Sequence, residues 1–238
     1  MSDYAPAMPH GQLDELFPGV HFVTGTMRME AQGQTWQFSR NMTVLEHDGV
    51  LTLINAVRLD DAGLAALDDL GRVEHVIQLG SLHGLDDAFY VDRYSATLWA
   101  HPGVTHQSGK DTDRVLTPGG DFPVPGCALF AFETSSKPEG LVLVGRAGGI
   151  LIACDSLQNW VEPDEYFSPE SAAMMKQIGF FAPANVGPGW IAQCSPEASD
   201  FARIKELEFQ HLLSAHGTPL ANTAHQDLAT TFQRMFGV

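Results

Sequence analysis

The sequence predicts one mixed domain of the α/β or α+β class, in which two groups of β-strands are accompanied by helices. Two observations carry this. The first half sets β-rich runs before a strand, helix, strand succession, and a second group of three strands past residue 127 is followed by helical stretches. The 238 residues suffice for one large core, and 44% apolar content is ordinary for a globular chain. A single domain over 1–238 is expected.

Residues 1–18 hold Pro6, Pro9 and Pro18 among polar side chains and read as an irregular arm. Short β-rich runs follow at 20–27, 35–38, 42–46 and 50–54, with His47-Asp48-Gly49 as a tight turn between the last two. Asp60 and Asp61 cap a helix built on Leu64, Leu67 and Leu70, and Gly71 ends it. A buried strand at 73–79 leads to a helix over 86–94, whose first turn carries Asp86 and Asp87 where the helix dipole favours acids. Residues 96–100 form the next strand, stopped by Pro102-Gly103, and 104–126 are rich enough in Gly, Pro, Asp and Thr to be loop. Further strands are expected at 128–133, 140–144 and 149–154, and helices at 169–178, 200–212 and 221–235. Residues 156–198 place aromatics between prolines and glycines, which suits either a lid over an apolar cleft or a small satellite core.

Twenty-nine acidic against 13 basic residues give a formal charge of −16. Such a chain repels phosphate backbones and anionic membrane surfaces, so neither nucleic acid nor membrane is an expected partner. No window approaches the roughly 20 apolar residues of a membrane span. The expected partner is a small-molecule substrate or ligand, and a homo-oligomer is compatible with the sequence. Cys127, Cys154 and Cys194 make an odd count without a Cys-x-x-Cys pair, and the N-terminus lacks a basic and apolar leader. Both features point to the cytoplasm.

Four segments end an apolar run on a residue able to ligate a metal. They are the run to Gly80-Ser81-Leu82-His83, Pro125-Gly126-Cys127, the run to Cys154-Asp155, and Leu212-Leu213-Ser214-Ala215-His216-Gly217. A strand end holds such a side chain rigidly over a cleft.

In order and spacing these segments resemble the metallo-β-lactamase superfamily. That family's pattern opens with His-x-His-x-Asp-His and continues with Pro-Gly-His, an Asp closing a Gly-rich strand, and a late His-Gly. The first two histidines fall on Ser81 and His83. The motif's Asp and third His fall on Leu85 and Asp86, or on Asp86 and Asp87 with one inserted residue. Pro-Gly-His falls on Cys127, the bridging aspartate on Asp155 and the last histidine on His216. The resemblance spans about residues 20–235 and implies a four-layer αββα sandwich. It implies a metal set drawn from His83, Asp86, Cys127, Asp155 and His216, with Asp86 or Asp87 as proton shuttle. With imidazoles lost at 81 and 127, the set implies one divalent ion (zinc, iron or manganese) or none. The implied activity is hydrolysis of an ester, thioester or lactam, and the alternative is a binding or scaffolding protein that keeps the fold without the chemistry.

Overall fold

Much of the early strands is buried on both faces, with Met42 and Val44 of one run turned to one side and Leu45 to the other. The computed structural model describes residues 4–31 and 33–238. Strands β1 (Asp14–Phe17), β2 (Val20–Ala31), β3 (Gln34–His47) and β4 (Val50–Ile54) pair antiparallel in sequence order. Asp48 and Gly49 turn the chain between β3 and β4 with φ of 52° and 72°. Helix α1 (Asp61–Leu70) then carries the chain over to β5 (Arg72–Gln78), and α2 (Asp87–Tyr94) carries it to β6 (Thr97–Ala100). Both strands, and the short β7 (Arg114–Val115), lie parallel to their predecessors. Parallel neighbours need such crossovers.

The second sheet holds β8 (Cys127–Ala131), β9 (Gly140–Val144) and β10 (Ile150–Ala153). A ribbon of β11 (Leu157–Trp160) and β12 (Ala182–Val186) follows, with α3 (Pro169–Gln177) between its strands. After α4 (Pro188–Cys194) and α5 (Ala198–Ile204), β13 (His211–Ser214) returns beside β10, and α6 (Ala224–Phe236) closes the chain. The sheet order is β13-β10-β9-β8, with β13 and β10 parallel.

Strand β10 shows how the layers form. Ile150 and Ile152 point into a core shared with Leu45, Ile54 and Ile77 of the first sheet, while Leu151 and Ala153 point the other way, toward Phe201, Leu228 and Phe232 of the C-terminal helices. On the far side of the first sheet, Leu64 and Leu67 of α1 and Tyr90 of α2 pack on Met42, Leu53 and Val76. The result is the αββα sandwich that the resemblance implies.

Several expectations change in detail. Asp14–Phe17 of the expected arm is an edge strand. The runs at 20–27, 35–38 and 42–46 are parts of one long hairpin. The helix expected at 200–212 stops at Ile204, because His211–Ser214 is wholly buried and pairs with β10. Residues 156–198 contain the β11–β12 ribbon and α4 as well as the expected helix. Trp160, Met175 and Trp190 of that segment are core residues that also wall a cleft.

Asn41 ties the two sheets together at the end where β13 exits. Its backbone N–H donates to Ala215 O, and its side-chain amide donates to Ser214 O (2.9 Å) and Gly217 O (2.7 Å). Asn41→Ala strands two buried carbonyls and is expected to cost about 1–3 kcal/mol, read as a lower midpoint in urea unfolding.

Candidate metal centre

Parallel pairing of β10 with β13 fixes the first two residues of the site. Ala153 lies opposite Ser214, so Asp155 and His216, each two residues further on, leave matched ends of neighbouring strands. Neighbouring strands sit about 4.8 Å apart, which sets these side chains within reach of each other. His216 Nε2 is 3.1 Å from Asp155 Oδ1. The next residue must be glycine, since a Cβ on Gly217 would lie 2.2 Å from Asn159 O and φ there is 83°.

His83 arrives from the first sheet, on the loop after β5. Gln78 holds that loop, its amide donating to His83 O (2.8 Å) and Gly80 O (3.1 Å). Gln78 Oε1 in turn pairs with His106 Nδ1 at 2.6 Å, and His106 Nε2 with Thr112 Oγ1 at 2.7 Å. Gly84, at φ 100°, lies so close to Gln78 that a Cβ would fall 2.4 Å from Oε1. So positioned, His83 Nε2 is 3.3 Å from Asp155 Oδ2 and 3.3 Å from His216 Nε2.

These separations are those of ligands around one ion. Two bonds of about 2.0–2.1 Å at a tetrahedral angle place their donor atoms about 3.3–3.4 Å apart. The His216 ring is fixed by stacking on Trp160 (4.9 Å between centroids, 11° between planes), and its Nδ1 faces Ser39 O at 3.4 Å. A proton on Nδ1 toward that carbonyl leaves a lone pair on Nε2, aimed at a carboxylate and at a second imidazole nitrogen. The opposite tautomer, with the proton on Nε2, donates to Asp155 Oδ1 instead. Two imidazoles and a carboxylate fit zinc or ferrous iron.

Burial pushes Asp155 upward, but the charge of His83 and hydrogen bonds from His216 and His83 outweigh it and hold the carboxyl well below the usual carboxylate range. The adjoining Glu139 goes the other way. Burial, then the charge of Asp155, raises it well above its ordinary value, while Oε1 accepts from Ser156 N at 2.7 Å. Cys154 is kept a thiol by burial and by the same acids, and its Sγ sits 3.6 Å from Asp155 Oδ2. Cys154 also falls with His83 and Asp155 in one group of potential ligand atoms, all within 4.8 Å.

The three donors form the floor of a cleft of about 440 Å³. Met27, Met29, Trp36 and Phe38 of the β2–β3 hairpin make one wall, and Trp160, Met175, Phe180 and Trp190 make the other.

Of the residues expected from sequence, the structure brings together His83, Asp155 and His216. Cys127 is elsewhere. It pairs with Val144 at the start of β8, and Val144 pairs with Ile150, the end of the sheet opposite Asp155. Burial pushes its thiol up to about 11. The part of the second sheet that reaches the site is instead the β8–β9 connection, where Ser81 N donates to Pro138 O and Gly80 bridges Glu139. Ser81 lines the cleft.

Asp86 and Asp87 also stand apart from the donors. Asp86 Oδ2 accepts from Arg40 Nη2 and from Arg58 N, and makes no side-chain cap on α2. Among the described residues, Asp155 is the carboxylate in ion-pair contact with His83 and His216. Asp87 is 2% exposed, with neither oxygen in hydrogen-bond geometry with a partner; the Ala56 amide draws it down only weakly. Burial, then the charge of Asp86, raises it to about 7.

Sequence reasoning missed Glu139 and Cys154. Glu139 follows Lys137-Pro138 and reads as spacer; the available signal was an acid immediately before a strand. Cys154 adjoins Asp155, but strand alternation turns it toward the inter-sheet core.

Asp87 gives a pH prediction. Its folded pKa exceeds its unfolded one, so the folded state binds the extra proton and loses stability as pH rises from about 4 to about 7. In chelator-treated protein, Asp87→Asn should raise Tm by several degrees at pH 8 and leave it nearly unchanged at pH 4.

No protein-family model matches the chain, and no curated protein matches it in sequence. Solved structures do match in fold. The DIM-1 metallo-β-lactamase exposed to ceftazidime superposes with a TM-score of 0.62 at 13% identity, covering 98% of this chain and 99% of that one. The FIM-1 enzyme from Pseudomonas aeruginosa in its mono-zinc form gives 0.63 at 12% identity, covering 97% of each chain. A metallo-β-lactamase from Hirschia baltica gives 0.59 at 14%, covering 93% of this chain and 97% of that one. The chain has the metallo-β-lactamase fold. Among the described residues, no helix is long and apolar enough to cross a membrane.

Proposed function

We propose that the chain is a metal-dependent hydrolase of the ester, thioester or lactam type, holding one divalent ion on His83, Asp155 and His216. The observation that carries this reading is the convergence of two imidazole nitrogens and a carboxylate, 3.1–3.3 Å apart, at the floor of an apolar cleft. Such an ion supplies a water that ionises near neutral pH and a Lewis acid for a carbonyl oxygen. Asp155 contributes the charge that favours the ion, and Trp160 with Ser39 O orients the His216 ring. The apolar walls exclude bulk water and strengthen electrostatics inside. A single ion is favoured because the acids of the would-be second position are committed elsewhere, Asp86 to Arg40 and Asp87 to the interior.

Elemental analysis of protein purified with added zinc or iron is expected to find close to one ion per chain. Asp155→Ala and His216→Ala should each fall below about 0.1 ion per chain with far-UV circular dichroism unchanged, because strand-end ligands add little to the core. Cys127→Ser should keep the wild-type content. A wild-type protein that takes up no metal sinks the hydrolase reading. Full metal with no turnover of any ester, thioester or lactam would leave the binding or scaffolding alternative.

A further inference from the structure

The charge of the cleft narrows its substrate, an inference that rests on the hydrolase reading above. Strand alternation puts Met27 and Met29 on the cleft face of β2 and sends Arg28 to the opposite face, where it lines a separate groove with Thr35 and Gln37. Among the described residues, no lysine or arginine lines the cleft. Arg40, next to Ser39 on β3, pairs with Asp86, and Lys137 Nζ donates to Gln193 Oε1 at 2.9 Å.

An anionic substrate entering this cleft sheds its hydration without gaining a counter-charge from the walls, which costs several kcal/mol. An uncharged apolar compound loses little hydration and gains about 25 cal/mol per Å² of surface covered. The volume of about 440 Å³ sits toward the small end of ligand pockets, roughly 300–1,000 Å³.

We propose that the cleft selects small, uncharged, apolar carboxylic esters and rejects esters that carry a carboxylate or phosphate. In the reaction the acyl carbon–oxygen bond of the ester breaks and water oxygen bonds to the acyl carbon. One water proton goes to the leaving alkoxide to give the alcohol, and the new acid ionises, releasing the other.

The test uses metal-loaded protein and a matched pair of aryl esters, methyl 4-butyryloxybenzoate and 4-butyryloxybenzoate, each rate divided by its own hydroxide-catalysed rate. The neutral ester is expected to have a kcat/KM at least about 30-fold higher. Met29, 42% exposed at the rim, can become lysine without burying the ammonium. Met29→Lys should shrink the preference at least about fivefold. In parallel, quenching of Trp36, Trp160 and Trp190 fluorescence should report binding of methyl 4-hydroxybenzoate more tightly than 4-hydroxybenzoate. Equal or tighter binding of the anion, or equal turnover of the two esters, overturns the proposal. Tighter binding of the neutral probe with no turnover of either ester upholds the charge selection and defeats the hydrolase reading alone.

Discussion

The parallel pairing of β10 with β13 is the constraint on which the rest of the site depends. Main-chain hydrogen bonds set Ala153 opposite Ser214, and both strands are fully buried. Their register cannot slip by one residue without turning Ile150 and Ile152 out of the inter-sheet core. The same register delivers Asp155 and His216 side by side. Apolar burial that stabilises the sandwich therefore also fixes donor spacing, and Asn41 and Asn55, which donate across to the ends of β13 and β10, lock the two sheets at that edge.

Charge at the site is arranged to favour a cation. Burial and the charge of Asp155 push Glu139 toward its neutral form, while the charge and hydrogen bonds of the two histidines hold Asp155 low. Two like charges in such a space would repel strongly. Where a metal-binding strand end in the resembling pattern offers an imidazole, this chain brings the backbone of Pro138 and the buried Glu139.

Most of the architecture was legible because apolar periodicity is local. Helix α1 appeared with its cap, since Asp60 Oδ1 accepts from Gly63 N as the sequence suggests. His83, Asp155 and His216 were legible because each closes an apolar run. The role of residues 132–139 was not, because Pro125-Gly126-Cys127 imitates a Pro-Gly-His motif at the wrong end of a strand. Spacing along the chain does not say which end of a five-residue strand faces the cleft; that follows from pairing with Val144 and Ile150, a tertiary fact. The strand at His211–Ser214 was legible as the apolar run that ends at His216; its start was not, because the helix expected at 200–212 overlaps it and burial beside β10 decides the boundary.

Asp86 and Asp87 show why ligand-capable residues in the right segment need not become ligands. Arg40, 6% exposed on β3, would be an uncompensated buried charge without an acid beside it. Asp86 supplies that acid, and Arg58 N adds a second hydrogen bond to the same oxygen. Freeing Asp86 for a metal would expose Arg40 to the full cost of its burial, so the ion pair wins. Asp87, turned inward by the first turn of α2, is left beside Asp86 and shifts toward its neutral form. One buried arginine thus determines how many acids remain for the cleft, and the strand ends that carry Asp155 and His216, with the loop bearing His83, are left to define the site.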